Sequence, residues 1–389
     1  MIYLDHNSTT PILPEVADAM LEVYRAGYVN PASQHQLGQK ARRLLEETRE
    51  AILALLGGKT TGMDADRLIF TSGGTEANNL MLRGLAAEPP ARVIVSPIEH
   101  PSMLATAEHM QAEGYDIEYL PINYNGTIAV DRSDHILKRK EWPAIASLML
   151  ANNETGAIQP LAEIRRLCEA AEIPLVTDAA QAIGKLPVNF RELAVAALSF
   201  AAHKFHGPVG IGGLVLRHDA KLRPQLFGGF QQEGLRPGTE CLALAVGLRV
   251  ALEDATRALR AEETWDERVL RFYSGVIAGL REGALLNSNT APRLWNTLNI
   301  AFLGLDRQEL LLALDMAGVC CSTGSACASG SSEPSPVLVA MGLPEEVVRS
   351  SLRFSFGRTN TLAEAEEAAE RIIKVVNHLR SRKSGRISP

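Results

Sequence analysis

The stretch ALSFAAHKFHGPVGIGGLVL, residues 197 to 216, decides the fold. Its two apolar runs, ALSFA and GIGGLVL, read as short buried strands. His203 and Lys204 fall where the first run stops, and Gly207–Pro208 breaks the chain between them. A lysine directly after a buried strand is unusual, because most lysines are solvated. Desolvation at such a place lowers the pKa of the amine and makes it a Schiff-base nucleophile. A surface lysine at a strand end is the plainer alternative.

Upstream, the same kind of strand recurs as RLIFTS, RVIVS, YDIEYL, AIASLML and PLVTD, with helical patterns between most of them. Pro14 suits the first turn of a helix over residues 14 to 26. Ser33 is the expected cap of a long helix whose stripe is Leu37, Ala41, Leu44, Leu45, Ile52, Leu55 and Leu56, stopped by Gly57–Gly58. Short apolar strands alternating with helices predict a mostly parallel sheet covered on both faces. A helix over 239 to 262 leads to a charged region, and a domain boundary is expected near residue 258. Beyond it, TLNIAFL and SLRFSF are strand-like. A large domain over 14–258 is therefore expected beside a smaller α/β domain made of 1–13 and 259–380. A basic tail, 381–389, is expected to be disordered.

Composition narrows the class of function. The chain has 389 residues, with 46% apolar and 22% charged, which is ordinary for a globular protein. A net charge of −6 argues against nucleic acid or an anionic membrane as the main partner. The five cysteines are an odd number without zinc spacing, so neither a disulfide framework nor a metal site is expected. No apolar run approaches the ~20 residues of a membrane span, and MIYLDHNSTTP has no apolar signal region, so a cytoplasmic location is expected.

Three further stretches carry chemistry. In FTSGGTEANN, 70 to 79, a strand ends, two glycines turn, and Thr75 opens a helix. Such a helix end offers free N–H groups to an anion; a Gly-rich turn with a threonine cap is the alternative. In LVTDAAQAIGK, 175 to 185, Asp178 ends a strand and Gln181 follows. Ligands collect at the carboxyl ends of parallel strands, while a lone Asp also caps helices. Lysine, carboxylate and anion cradle together are the parts that pyridoxal phosphate needs for its aldehyde, ring nitrogen and phosphate. His100 could face the ring and Asn153 could bond its oxygen. Alternatively they are a loop histidine and a turn asparagine. Finally, VCCSTGSACASGSS, 319 to 332, sets Cys327 among Ser, Gly and Ala, which neither shield nor rigidify a thiol.

These stretches, with YLDHNSTTP, NPASQH, EHPSML, NNETG, AHKFHGP, RPGTE and SLRFSFGR, resemble the group I cysteine desulfurases over nearly the whole chain. These are the NifS/IscS-like branch of the class-V aminotransferase family, which has the fold-type I architecture of pyridoxal-phosphate enzymes. The resemblance implies a large domain with a mostly parallel seven-stranded sheet and a smaller C-terminal α/β domain. It implies pyridoxal 5'-phosphate as cofactor, with Lys204 as its covalent anchor and Asp178 at the ring nitrogen. Gln181 and Asn153 would bond the ring oxygen, and His100 would stack on the ring and move protons. Gly74, Thr75 and His203 would hold the phosphate, with Thr239 arriving from the other subunit of a homodimer. Arg353 would grip the carboxylate of L-cysteine, a task suited to a planar guanidinium, with Asn153 nearby. Cys327 would take the sulfur as a persulfide, leaving L-alanine. A sulfur-acceptor protein for iron–sulfur assembly or tRNA thiolation would then receive it.

For Cys320 and Cys321 the reading is packing, with a persulfide relay as the alternative; Cys168 and Cys241 look structural. Ala201 stands where the family commonly has serine, and Phe230, Glu233 and Val209 also depart from its pattern. Two other functions are open to the sequence. One is a selenocysteine lyase or another class-V enzyme, although transamination needs no thiol. The other is a non-catalytic paralogue acting as a scaffold.

Overall fold

The computed structural model describes residues 1–259, 266–324 and 333–384. A seven-stranded sheet has the order Arg67–Thr71, Gly212–Leu216, Ala197–Ala201, Leu175–Asp178, Ala144–Ser147, Arg92–Val95, Asp116–Tyr119. Gly212–Leu216 runs antiparallel to both neighbours, and the four remaining pairings are parallel. Strands Arg92–Val95, Leu175–Asp178, Ala197–Ala201 and Gly212–Leu216 are buried throughout. Burial on both faces is why they lack alternation in sequence. Helices cover the sheet on both sides, and the segments after the parallel strands gather along one edge.

A second core is built around a three-stranded antiparallel sheet, Ser351–Ser355, Thr297–Phe302, Ala284–Leu286. Phe272, Phe302, Phe354 and Phe356 pack together in it, with ring centroids 5.2 to 6.2 Å apart. Helices Glu267–Leu280 and Leu362–Ser384 close over it. Ile2 and Leu4 belong to this core, because Ile2–Tyr3 pairs in parallel with Val319–Cys320. The chain then crosses to the large sheet, where Thr10 N–H donates to the His203 carbonyl at 2.9 Å and Leu13 N–H to that of His206 at 3.2 Å.

Local expectations fail in four places. The long helix is Gln36–Leu55, and its cap is His35, not Ser33; the imidazole Nδ1 accepts from Gly38 N–H at 3.2 Å. Leu37 lies one turn too early to meet the core and is 60% exposed. Cys241 is exposed rather than packed. The last helix runs to Ser384, taking in the start of the stretch expected to be disordered; Ser381 Oγ donates to the His378 carbonyl at 2.8 Å and Lys383 Nζ to that of Gly304 at 2.9 Å, which ties this turn down. The remainder, 385–389, lies outside the described residues. No helix among the described residues is long and apolar enough to cross a membrane, and no group of His, Cys, Asp or Glu among them could hold a metal.

Candidate active site

The anion end of the site begins where Arg67–Thr71 stops. Gly73 takes φ +156° and ψ −176°, a region open essentially to glycine alone, and helix Gly74–Leu85 starts immediately after it. No side chain caps this helix end, so the Thr75 cap is absent. A Cβ built on Gly73 would meet nothing within 4 Å, and one on Gly74 would lie 3.5 Å from the Ala201 methyl. The result is an uncapped helix terminus with room above it, shaped for an anionic group. His203 stands beside it, with Nδ1 3.2 Å from Thr9 Oγ1. Its pKa is pushed down to about 4 by burial, then by the charges of Lys204, Lys185 and His100. At neutral pH it therefore offers a hydrogen bond rather than a charge.

Asp178 ends its strand on the same edge. It is buried, with Oδ1 accepting from Ala180 N–H at 2.8 Å and Oδ2 from Asn78 Nδ2 at 2.7 Å. One oxygen thus caps the local turn, as the plainer reading of this residue expects, while the other is held by the helix bearing the anion site. Asn78 is fixed in turn by Ser199 Oγ at 2.5 Å and donates to Ser102 Oγ at 3.0 Å. Ser102 connects to His100, the N-cap of helix Pro101–Ala112. His100 Nδ1 accepts from Ser102 N–H at 3.1 Å and lies 2.8 Å from its hydroxyl. The neutral ring therefore carries its hydrogen on Nε2. Burial holds His100 below its ordinary pKa; Asp178 pulls it up and Lys204 pushes it down. His100, Asp178 and Lys204 thus lie within one electrostatic neighbourhood.

Lys204 closes the short helical turn Ala202–Lys204. Its Nζ donates to the carbonyls of Asn7 and Ser8 at 2.7 and 2.8 Å. Gln181 Nε2 reaches the same Asn7 carbonyl at 3.0 Å. Asn153 keeps its side-chain amide unbonded among the described residues. Its carbonyl accepts from Asn7 Nδ2 at 3.0 Å and from Arg353 Nη1 at 3.1 Å. Arg353 is 1% exposed and already engaged: Nη2 donates to Asp5 at 2.7 Å and Ser8 Oγ at 2.8 Å, and Nη1 also reaches the Gly324 carbonyl at 3.3 Å. Its Nε is buried without a partner among the described residues. A carboxylate arriving here would meet a guanidinium with one free N–H and a loosely held Nη1.

The structure brings together Gly74, His100, Asn153, Asp178, Gln181, His203, Lys204 and Arg353. Thr75 is exposed at the helix end, and Thr239 is exposed. Cys327 lies outside the described residues. Both described flanks of its segment return to the site: Gly324 O to Arg353, and Ser335 Oγ to Glu154 Oε2 at 2.6 Å. Burial raises the thiol pKa of both Cys320 and Cys321, which favours packing over a relay for the pair. Sequence reasoning missed Asp5, Asn7, Ser8, Asn78, Ser102 and Lys185. Backbone carbonyls leave no mark in a sequence, and Asn78 sits in a stretch whose visible signal is its Gly-rich turn.

A lysine at a strand end, a carboxylate one strand away and an open helix terminus define an α/β enzyme built around an amine and an anion. The chain belongs to the aminotransferase class-V family, whose model matches residues 2–367, and within it to the NifS/IscS-like enzymes. It is 36% identical to the cysteine desulfurase NifS of Azotobacter vinelandii, covering 98% of this chain and 94% of that protein. To the cysteine desulfurase IscS of Dictyoglomus turgidum it is 35% identical, covering 98% and 95%. A solved NifS-like protein superposes with a TM-score of 0.87 at 30% identity, over 97% of this chain and 99% of that one. SspA, solved in complex with cysteine, superposes with 0.78 at 30% identity, over 92% and 99%.

Proposed function

We propose that this protein is a pyridoxal-phosphate-dependent cysteine desulfurase that moves the sulfur of L-cysteine onto Cys327 and releases L-alanine. The observation that carries this is the convergence of Lys204, Asp178 and His100 beside an uncapped helix end, in a chain whose relatives are named cysteine desulfurases. The residues present fit the cofactor. The open Gly73–Gly74 cradle takes the phosphate, Asp178 the ring nitrogen, and Gln181 and Asn153 the ring oxygen. When bound, the cofactor supplies an electron sink for negative charge at the substrate Cα.

The residues do the rest. Lys204 would hold the cofactor through its amine and would take and return the substrate Cα proton. The Asn7 and Ser8 carbonyls keep its amine on the site side of the strand. His100 would lie against the ring and could hand on a proton from Nε2, its other nitrogen being committed to Ser102. Arg353 and the Asn153 amide receive the substrate carboxylate, which replaces the Gly324 carbonyl on Nη1. The Cys327 thiolate attacks the substrate sulfur. The Cβ–S bond breaks with its electron pair left on carbon, an S–S bond forms, and protonation of that carbon gives alanine. The persulfide then passes by thiol exchange to an acceptor protein.

The working unit is a homodimer, with Thr239 of the partner subunit completing the phosphate site. Phe227 and Phe230 support this, being 88% and 96% exposed on the loop that leads to Thr239.

The test is incubation of the purified yellow protein with L-cysteine, following alanine and sulfide. Wild type is expected to form them in equal amounts. Cys327→Ser should keep the visible absorption and lose turnover by roughly a hundredfold or more, as expected for loss of a covalent nucleophile. Lys204→Ala should fold but lose the lysine-linked band. Undiminished turnover in Cys327→Ser sinks the mechanism.

A further inference from the structure

Lys185 is a buried amine that the reaction above does not use. It lies four residues beyond Gln181 on a helical turn closed by Ile183 N–H to Ala179 O at 3.0 Å and Lys185 N–H to Ala182 O at 2.9 Å. Gly184 takes φ +78°, and a Cβ there would fall 2.8 Å from the Phe205 Cβ. Only glycine therefore lets the chain turn tightly beneath the Lys204 loop. Lys185 Nζ donates to Gln181 Oε1 at 2.6 Å and has no carboxylate partner among the described residues. The charged and titratable groups around it are Lys204, Arg353, His6, His203 and His206. Burying an amine among cations costs stability, so packing does not explain its presence.

A glutamine amide has one accepting and one donating end. Lys185 takes the accepting end. The donating end is thereby turned to the Asn7 carbonyl, 3.0 Å away, and toward Lys204, whose Nζ shares that carbonyl. A flipped amide would set N–H groups against the amine and two carbonyl oxygens against each other. The amine fills this role charged or neutral, since both forms donate.

We propose that Lys185 is a positioning residue that fixes the Gln181 amide, so that its second N–H points at the cofactor's ring oxygen. The proposal rests on the assignment of Gln181 to that oxygen. A donor there stabilises the anionic oxygen and loosens the proton on the neighbouring Lys204 nitrogen. Losing the donor tightens that proton and raises the pH at which it leaves.

The experiment titrates the visible band of the holoenzyme against pH in wild type, Lys185→Met, Gln181→Met and the double variant. Lys185→Met is expected to move the midpoint upward by about one pH unit, and Gln181→Met by at least as much. Lys185→Met should add nothing in the Gln181→Met background. Urea unfolding of the apoprotein should show Lys185→Met no less stable than wild type. Should Lys185→Met fail to fold, Lys185→Leu is read in its place with the same expectations. An equal shift in both backgrounds would mean a through-space charge and overturns the proposal. So does a midpoint moved by Gln181→Met but not by the lysine variants. A midpoint unmoved by Gln181→Met refutes the assignment of Gln181 itself, and this inference with it.

Discussion

Ala201 shows how one methyl group changes a cradle. It is buried at the end of its strand, and its Cβ would lie 3.5 Å from a side chain placed on Gly74. The family's common serine would put a hydroxyl at the anion end, and the methyl would leave that task to Gly74, Thr75 and His203 in the proposed site. A hydrogen bond to a charged group contributes about 1.5–3 kcal/mol. Ala201→Ser is therefore expected to slow loss of cofactor by roughly tenfold or more, read as the rate at which absorbance at the visible band decays on dilution with an aldehyde trap. An unchanged rate would show that the cradle is already saturated. His100 carries a second lesson at this scale. EHPSML marks it as a candidate site residue, but its tautomer is not legible there, because the deciding partner is a backbone N–H two residues on.

Among the elements, the loop from Leu226 to Thr239 stands apart. Gln232 and Glu233 hold positive φ of +49° and +60°, a conformation uncommon for side-chain-bearing residues. The Gln232 amide offsets part of that cost by bonding both the N–H and the carbonyl of Phe70, at 2.7 and 2.9 Å, along the edge strand Arg67–Thr71. Glu233, a departure from the family pattern, pairs with Arg67 at 3.5 Å while 70% exposed, so it contributes little. The loop is thus pinned at its middle while Phe227 and Phe230 project outward. Covering each by a second copy would contribute about 1.5–3 kcal/mol. The double variant Phe227→Glu/Phe230→Glu is expected to raise the dimer dissociation constant by roughly a hundredfold or more, measured by sedimentation equilibrium. A wild-type chain that sediments as a monomer would refute the dimer outright.

The whole molecule couples its two cores through residues 4 to 13, and pH tests that coupling. His6 lies 1% exposed between Tyr3 and His206, with ring centroids 4.9 and 5.8 Å away. Burial, then His206 and Lys185, push its pKa down to about 3. The unfolded chain binds a proton at this residue below the ordinary pKa of about 6.5, and the folded chain does not until about pH 3. Stability is therefore full above about 6.5 and falls as pH drops, by about 1.4 kcal/mol per pH unit from this residue alone. His6→Phe keeps a ring against Tyr3 and removes the proton. Its urea midpoint should fall less between pH 6.5 and pH 5 than that of wild type. Equal falls in the two proteins would show that His6 is not held neutral.

What the sequence determined by itself was the alternation of elements, the ends of the strands and the residues that stand at those ends. These depend on apolar runs, glycines and prolines, which act over a few residues and can be read in order. Lys204, Asp178 and the Gly73–Gly74 turn were legible for that reason. The tertiary structure alone decided the partners. The Asn7 and Ser8 carbonyls reach Lys204 from the other end of the chain, Asp5 occupies Arg353, Asn78 holds Asp178, and Lys185 faces Gln181 with no counter-ion among the described residues. Hydrogen bonds and desolvation act across space between segments hundreds of residues apart, and no local pattern encodes which segments meet.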